Sequence, residues 1–216
     1  MAINKLLFFT TALFMLLGCS EKDYSKIKTI SKTFQDRGKQ ILEIKSSDIE
    51  NVNYPIIEVR SNDVIKRVLM IPISTRNNYT YYSNGGSQAL TLNGSIISKT
   101  IGFNSGLISL ETEENSPLIV KTKLSDWPKQ SSRKYSFITH LNSKKSFIFE
   151  CIVKNKKDDI LKILDNEIKL IKIEEYCSNN LFSFENVYWS YEDGSIKKTT
   201  QRVSNKDIYL TVTFLK

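Results

Sequence analysis

The sequence predicts a mainly β protein, an antiparallel barrel-like or sandwich domain preceded by a single N-terminal α-helix. Three observations carry this expectation. From Tyr54 onward the chain runs in β-branched and aromatic stretches, the side chains that suit a pleated, half-buried surface. Near the end, Ile208, Leu210, Val212 and Phe214 alternate with Asp207, Tyr209, Thr211 and Thr213, the period of a strand with one buried face. Asn84-Gly85, Asn93-Gly94 and Asp193-Gly194 each stand between such runs, where Gly and Asn or Asp tolerate the positive φ of tight hairpin turns. Of the 216 residues, 40% are hydrophobic and 25% charged, enough apolar side chain for one buried core and too much for a disordered tail.

Taken in order, Lys5 gives a positive start and Leu6 through Leu17 an uncharged apolar run. That is the pattern of a signal-peptide core, and it falls short of the ~20 apolar residues of a membrane-spanning helix. Glu21, Lys22 and Asp23 follow at once. The junction Leu16-Leu17-Gly18-Cys19 resembles a bacterial lipobox, in which a small residue precedes a cysteine that is acylated and becomes the first residue after cleavage. Acyl chains on Cys19 then hold the protein to a bilayer through about 0.8 kcal/mol per buried methylene, with more than one chain needed for stable anchoring. Ser20 stands where an aspartate favours inner-membrane retention, so the expected address is the outer membrane, periplasmic face. Residues 1–18 are thus a lipoprotein signal peptide, 19–45 the lipidated N-terminus with its helix, and 46–216 the β-rich domain.

Asp23 or Ser25 can cap that helix, along which Ile27, Ile30, Phe34 and Ile41 recur at near-helical spacing. Ser46 to Glu50 can begin a second, shorter turn. Strands are expected at Ile56 to Asn62, Ile65 to Ile73, Ser95 to Ile101, Leu118 to Leu124, Tyr135 to Leu141, Phe147 to Val153, Ile168 to Tyr176 and at the C-terminal alternation. The charge run from Lys154 to Asp159 reads as a solvated loop or hairpin end. Hairpin-linked strands in a domain this size favour a closed barrel or a sandwich, because both limit exposed sheet edges.

Composition also narrows the chemistry. One His and three Cys are too few for a four-ligand zinc site, and the eight Gly form neither a phosphate loop nor a dinucleotide fingerprint. No catalytic residue, metal or cofactor is assigned. His140 in a strand-like run is either a structural histidine or a general base in a cleft. Asp158-Asp159 and Glu174-Glu175 are acid pairs, but adjacent strand residues face opposite sides, and glycoside hydrolysis needs acids that converge. The formal charge of +8 comes from a Lys-rich surface in an exported chain, which argues against nucleic acid. It leaves a solvated surface or a patch for an anionic polysaccharide. Tyr79, Tyr81 and Tyr82, and Tyr188, Trp189 and Tyr191, are either cross-strand packing partners or faces on which sugars stack. Trp189 beside the Asp193-Gly194 turn is the leading candidate for a glycan or partner contact. Cys151 and Cys177 remain after Cys19 is lipidated, an even pair in a disulfide-permissive compartment. Either they are bridged, or Cys151, alternating with Phe147, Phe149 and Val153, is a small core side chain.

Several stretches, read together, resemble the YjbF/GfcB family of capsule- and exopolysaccharide-operon outer-membrane lipoproteins. They are Tyr54-Pro55 leading into Ile57-Glu58-Val59-Arg60, then Leu92-Asn93-Gly94-Ser95-Ile96-Ile97-Ser98-Lys99-Thr100-Ile101-Gly102-Phe103 with Leu107 after it. Asn186-Val187-Tyr188-Trp189, Gly194-Ser195-Ile196-Lys197 and Gln201 complete the set. The resemblance covers most of the mature chain. It implies a mainly β lipoprotein engaged in synthesis, assembly or export of an extracellular polysaccharide. It brings no catalytic residues. The expected partners are the membrane through the lipid, an anionic polysaccharide, an outer-membrane exporter and periplasmic proteins of the same operon, with no nucleic acid. Two classes of function follow: a non-catalytic accessory factor, favoured because no nucleophile or acid set is evident, and a periplasmic glycan-modifying enzyme.

Overall fold

The structure is a computed structural model that describes residues 45–216 apart from 51, 64–66, 105, 115 and 139–142. All of them belong to one compact unit, Gln40–Lys216. Cys19, the expected helix after it, and His140 lie outside the described residues.

One short helix, α1 (Ser46–Ile49), precedes twelve strands. They are β1 (Ile57–Ser61), β2 (Arg67–Arg76), β3 (Tyr79–Ser83), β4 (Ala89–Asn93), β5 (Ile96–Ile101), β6 (Leu107–Thr112), β7 (Gln130–Ile138), β8 (Lys144–Ile163), β9 (Asn166–Ser178), β10 (Ser183–Ser190), β11 (Ile196–Arg202) and β12 (Tyr209–Phe214). Every pairing is antiparallel, and nearly every strand bonds to its sequence neighbours. β1 also pairs with β12, so the meander curls into a nearly closed barrel. The one seam without a ladder lies between β5 and β6, which meet through the Thr100 hydroxyl donating to the Leu107 carbonyl at 3.4 Å. Closure of this kind leaves β5 and β6 as the edge strands among the described residues.

Local chemistry sets the turns. Asn77 and Asn78, with φ of 48° and 65°, join β2 to β3, a conformation that Asn accepts more readily than most residues. Gly94-Ser95 joins β4 to β5 and Tyr191 through Ser195 joins β10 to β11, so the three Gly-containing turns expected from the sequence all connect neighbouring strands. Pro72 sits where the β2–β3 register shifts, because proline has no N–H for a ladder.

The barrel interior follows the alternation. Ile57, Val59, Leu210, Val212, Ile173 and Tyr188 point inward and are fully buried. At one side Tyr135, Phe137, Phe149, Phe182 and Phe184 form a cluster with several ring centroids 5.0–5.9 Å apart. The segment expected as a strand at Leu118 to Leu124 is not one. It belongs to a strap between β6 and β7 that crosses one end of the barrel. Leu118, Leu124 and Trp127 of the strap are buried instead of laddered, while Val120 is exposed. The Ser95 N–H donates to Leu118 O at 2.7 Å and the Leu124 N–H to Glu192 O at 3.2 Å. A second correction concerns Lys154 to Asp159. This run lies inside β8, whose 20 residues continue past the last β10 partner of β9, Ile171. The outer parts of β8 and β9 therefore form an arm.

Candidate functional site

Outward positions of β1, β2, β11 and β12 build a charged wall. Since Ile57 and Val59 face the core, Glu58 and Arg60 must face out. Register then places Arg60 opposite Arg67 on β2 and Thr211 on β12, and Glu58 opposite Thr213. Lys198 of β11 lies beside Thr213, and Trp189 of β10 beside Lys198. The arm reaches over this wall. Its two-residue turn, Leu164-Asp165, together with Leu161 and Lys162, encloses a cleft of about 500 Å³ against Glu58, Arg60, Lys198 and Thr211. Two contacts fasten it: the Trp189 indole N–H donates to Asp159 Oδ2 at 2.8 Å, and the Ser46 N–H to Asp165 Oδ2 at 2.9 Å.

Five cations and two carboxylates line the cleft. Both carboxylates are engaged. Glu58, only 6% exposed, accepts from Arg60 Nε at 2.5 Å and Arg67 Nε at 2.9 Å. Asp165 is held below the usual carboxylate range, first by the Ser46 bond. Lys198 is different: half-buried, it has no carboxylate within ion-pair distance among the described residues. Its ammonium instead lies 4.6 Å above the Trp189 ring. Burial, and then the charge of Arg60, lower its pKa from the ordinary lysine value. The cleft therefore favours an anion, with hydroxyl-bearing Thr211 and Thr213 along its wall.

A second polar group lies inside the barrel. The Arg133 guanidinium pairs with Glu175 through Nη2 and donates to the Tyr188 hydroxyl from Nη1 at 2.9 Å. Tyr188 and Asn186 donate in turn to Glu175 Oε2 at 3.0 and 3.1 Å. Burial opposes the charge on Arg133, but Glu175, Tyr188 and Tyr135 outweigh it and raise its pKa. Burial also pushes the Tyr188 phenol well above its usual value. This group is sealed from solvent, with Arg133 2% exposed; its members bond chiefly to one another, while Arg133 Nε has no hydrogen-bond partner among the described residues.

The sequence candidates scatter across these two places. Tyr188 points into the core and is unavailable at the surface where it was grouped with Trp189 and Tyr191; alternation along β10 separates them. Trp189 is half-buried under Lys198 and tied to Asp159, so it backs the cleft-lining Lys198 without lining the cleft itself. Tyr191 is 39% exposed at the turn. Tyr79 and Tyr81 are exposed on β3 while Tyr82 faces the interior. Glu174 lies outside, bonded to Lys172 at 2.6 Å, and Glu175 inside. Cys151 and Cys177 are joined by a disulfide across paired positions of β8 and β9. Their sulfurs lie near Glu175, but the bond removes the thiolates that would hold a metal. Sequence reasoning missed Glu58, Arg60, Arg67 and Lys198 as a group. The available signal was the inward Ile57 and Val59, which fix their neighbours outward, but the arm that covers them gave none.

Comparison with known proteins adds three findings. The family model described as group 4 capsule polysaccharide lipoprotein gfcB, YjbF matches residues 15–215. The crystal structure of the hypothetical lipoprotein YmcC from Escherichia coli K12 has the same fold, with a TM-score of 0.68 at 15% identity. The alignment covers 88% of this chain and 95% of that one. No curated protein gives a significant match.

Proposed function

The chain belongs to the YjbF family of group 4 capsule polysaccharide lipoproteins, and from that premise we propose that it is a non-catalytic accessory factor in capsule or exopolysaccharide assembly or export. Acyl chains on Cys19 hold it at the periplasmic face of the outer membrane, where it works with an exporter and periplasmic proteins of the same operon. The outer wall supports a tethered body. Arg60, Lys134, Lys172, Glu174 and Lys198 lie at outward positions, where a membrane-spanning barrel carries an apolar band.

The observation that carries the reading is the character of the arm cleft. It offers cations and hydroxyls, while its two carboxylates are already engaged. That is equipment for holding a ligand. A glycan-modifying enzyme needs two acids free to converge on one bond. Deleting the gene is expected to reduce surface polysaccharide, and the wild-type gene to restore it. Cys19→Ser is expected to leave the membrane fraction and restore less. Unchanged polysaccharide in the deletion strain would refute the role, and an altered sugar composition at normal yield would favour the enzyme.

A further inference from the structure

We propose that the cleft beneath the β8–β9 arm binds a carboxylate-bearing sugar residue of an acidic polysaccharide, with Lys198 and Arg60 holding the carboxylate between them. The inference rests on the accessory reading above and names the chemistry of its ligand. Arg60 engages Glu58 through Nε, which leaves the planar Nη fork that matches a carboxylate. Lys198 stands on the rung of Glu58, across Thr213, half-buried and beyond ion-pair distance of any carboxylate among the described residues, with Glu58 and Asp159 offsetting part of its charge from further away. One carboxylate, Glu58, is shared here by Arg60 and Arg67, so a partly desolvated ammonium beside them is stabilised by a further anion. The surroundings suit a sugar. Leu161, Leu164 and Leu215 supply apolar surface in the cleft, Thr211 and Thr213 supply hydroxyls on its wall, and the Trp189 ring lies behind the Lys198 ammonium. The cleft volume of about 500 Å³ lies within the range of small-ligand sites.

The test uses the full-length lipoprotein purified in detergent and titrated calorimetrically with tetragalacturonate, maltotetraose and inorganic phosphate. Tetragalacturonate is expected to bind and to weaken as salt rises, and neutral maltotetraose to give no binding. Lys198→Gln and Arg60→Gln are each expected to weaken binding at least about tenfold, the scale of one charge-assisted hydrogen bond. Lys198→Arg should retain it, as should Lys99→Gln, which removes an exposed charge on β5. Circular dichroism melts establish that each variant is folded. Equal binding of maltotetraose, full competition by phosphate, or unchanged affinity in Lys198→Gln would overturn the site. If the site fails while gene deletion still reduces surface polysaccharide, the carboxylate ligand is refuted and the accessory role stands.

Discussion

At Gly194 the backbone φ is 86°, and a Cβ built there would lie 1.7 Å from the carbonyl oxygen of Thr122. The strap crosses the β10–β11 turn at this point, so a side chain needs both a strained backbone and a displaced strap. Gly194→Ala is expected to cost at least about 2 kcal/mol in denaturant unfolding. Gly86→Ala, whose nearest neighbour is the flexible Asn84 side chain at 3.4 Å, should cost less than about 1 kcal/mol. The Asp193-Gly194 dipeptide announced the turn, but nothing in the sequence announced the strap, which is distant in the chain. Glu175 was opaque for a similar reason. It reads as half of an acid pair, and its partner Arg133 lies 42 residues away. Arg133→Met should destabilise by about 3–5 kcal/mol, because it leaves Glu175 buried without its counter-ion. Arg133→Met combined with Glu175→Leu should recover much of that loss. The exposed Asp193 gives a pH signature: the Lys121 contact, then the Ser195 N–H, hold its carboxyl down to about 2. A depressed acid stabilises the turn above its unfolded pKa of about 3.9 and loses that effect as pH falls toward 2. Carboxyl NMR should find the low midpoint in the wild type and a rise toward 3.9 in Lys121→Ala, with little change in global stability because the pair is solvent-exposed.

Among the elements, those with local signals were the readable ones. Alternation located β1 and β12, and Gly-containing turns located three hairpins. The length of β8 was hidden because its charged stretch, Lys154 to Asp159, which leads into the arm, lacks the inward apolar series of a barrel strand. The ladder with β9 carries the strand through it, with side-chain bonds from Asn155 and Lys157 to Glu174 across the pair. The disulfide joins Cys151 to Cys177 across a separation of 26 residues, clamping the base of this hairpin. Closing a loop of that length removes about 3 kcal/mol of unfolded-state freedom. Reductant should therefore lower the guanidinium midpoint by a corresponding amount, and Cys151→Ala/Cys177→Ala should become insensitive to it. On neighbouring β10, Trp189→Phe removes the indole N–H that bonds Asp159 while keeping an aromatic ring beneath Lys198. Hydrogen exchange at residues 161–165 is expected to accelerate, with the barrel midpoint shifted by less than about 1 kcal/mol. If the arm remained equally protected, the Asp159 contact would not be what holds it down.

At the scale of the whole molecule, closure depends on strands that lie far apart in sequence. β12 pairs with both β11 and β1, and the Leu215 N–H donates to Ile56 O at 2.9 Å, so this strand joins the first strand of the meander to the rest. The sequence pointed to a barrel or sandwich without deciding between them, since the deciding contact is this long-range pair, which leaves no mark on local periodicity. The remaining opening, between β5 and β6, is held by side-chain contact instead of a ladder. Backbone groups on the seam side of those strands have no partner strand, whereas β9 to β11 carry ladders on both sides and enclose the Arg133–Glu175 pair. Native-state exchange should consequently rank the protein by its topology: fastest at the seam-facing amides of β5 and β6, intermediate in the β1–β12 closing ladder, slowest in β9 to β11. Deleting residues 209–216 should abolish cooperative unfolding and produce dye-binding apolar surface, because it leaves β1 and β11 as new edges over Val59 and Val203, both buried in the intact barrel. Seam amides as slow as those of the closing ladder would mean that β5 and β6 are hydrogen-bonded in solution and the barrel is fully closed.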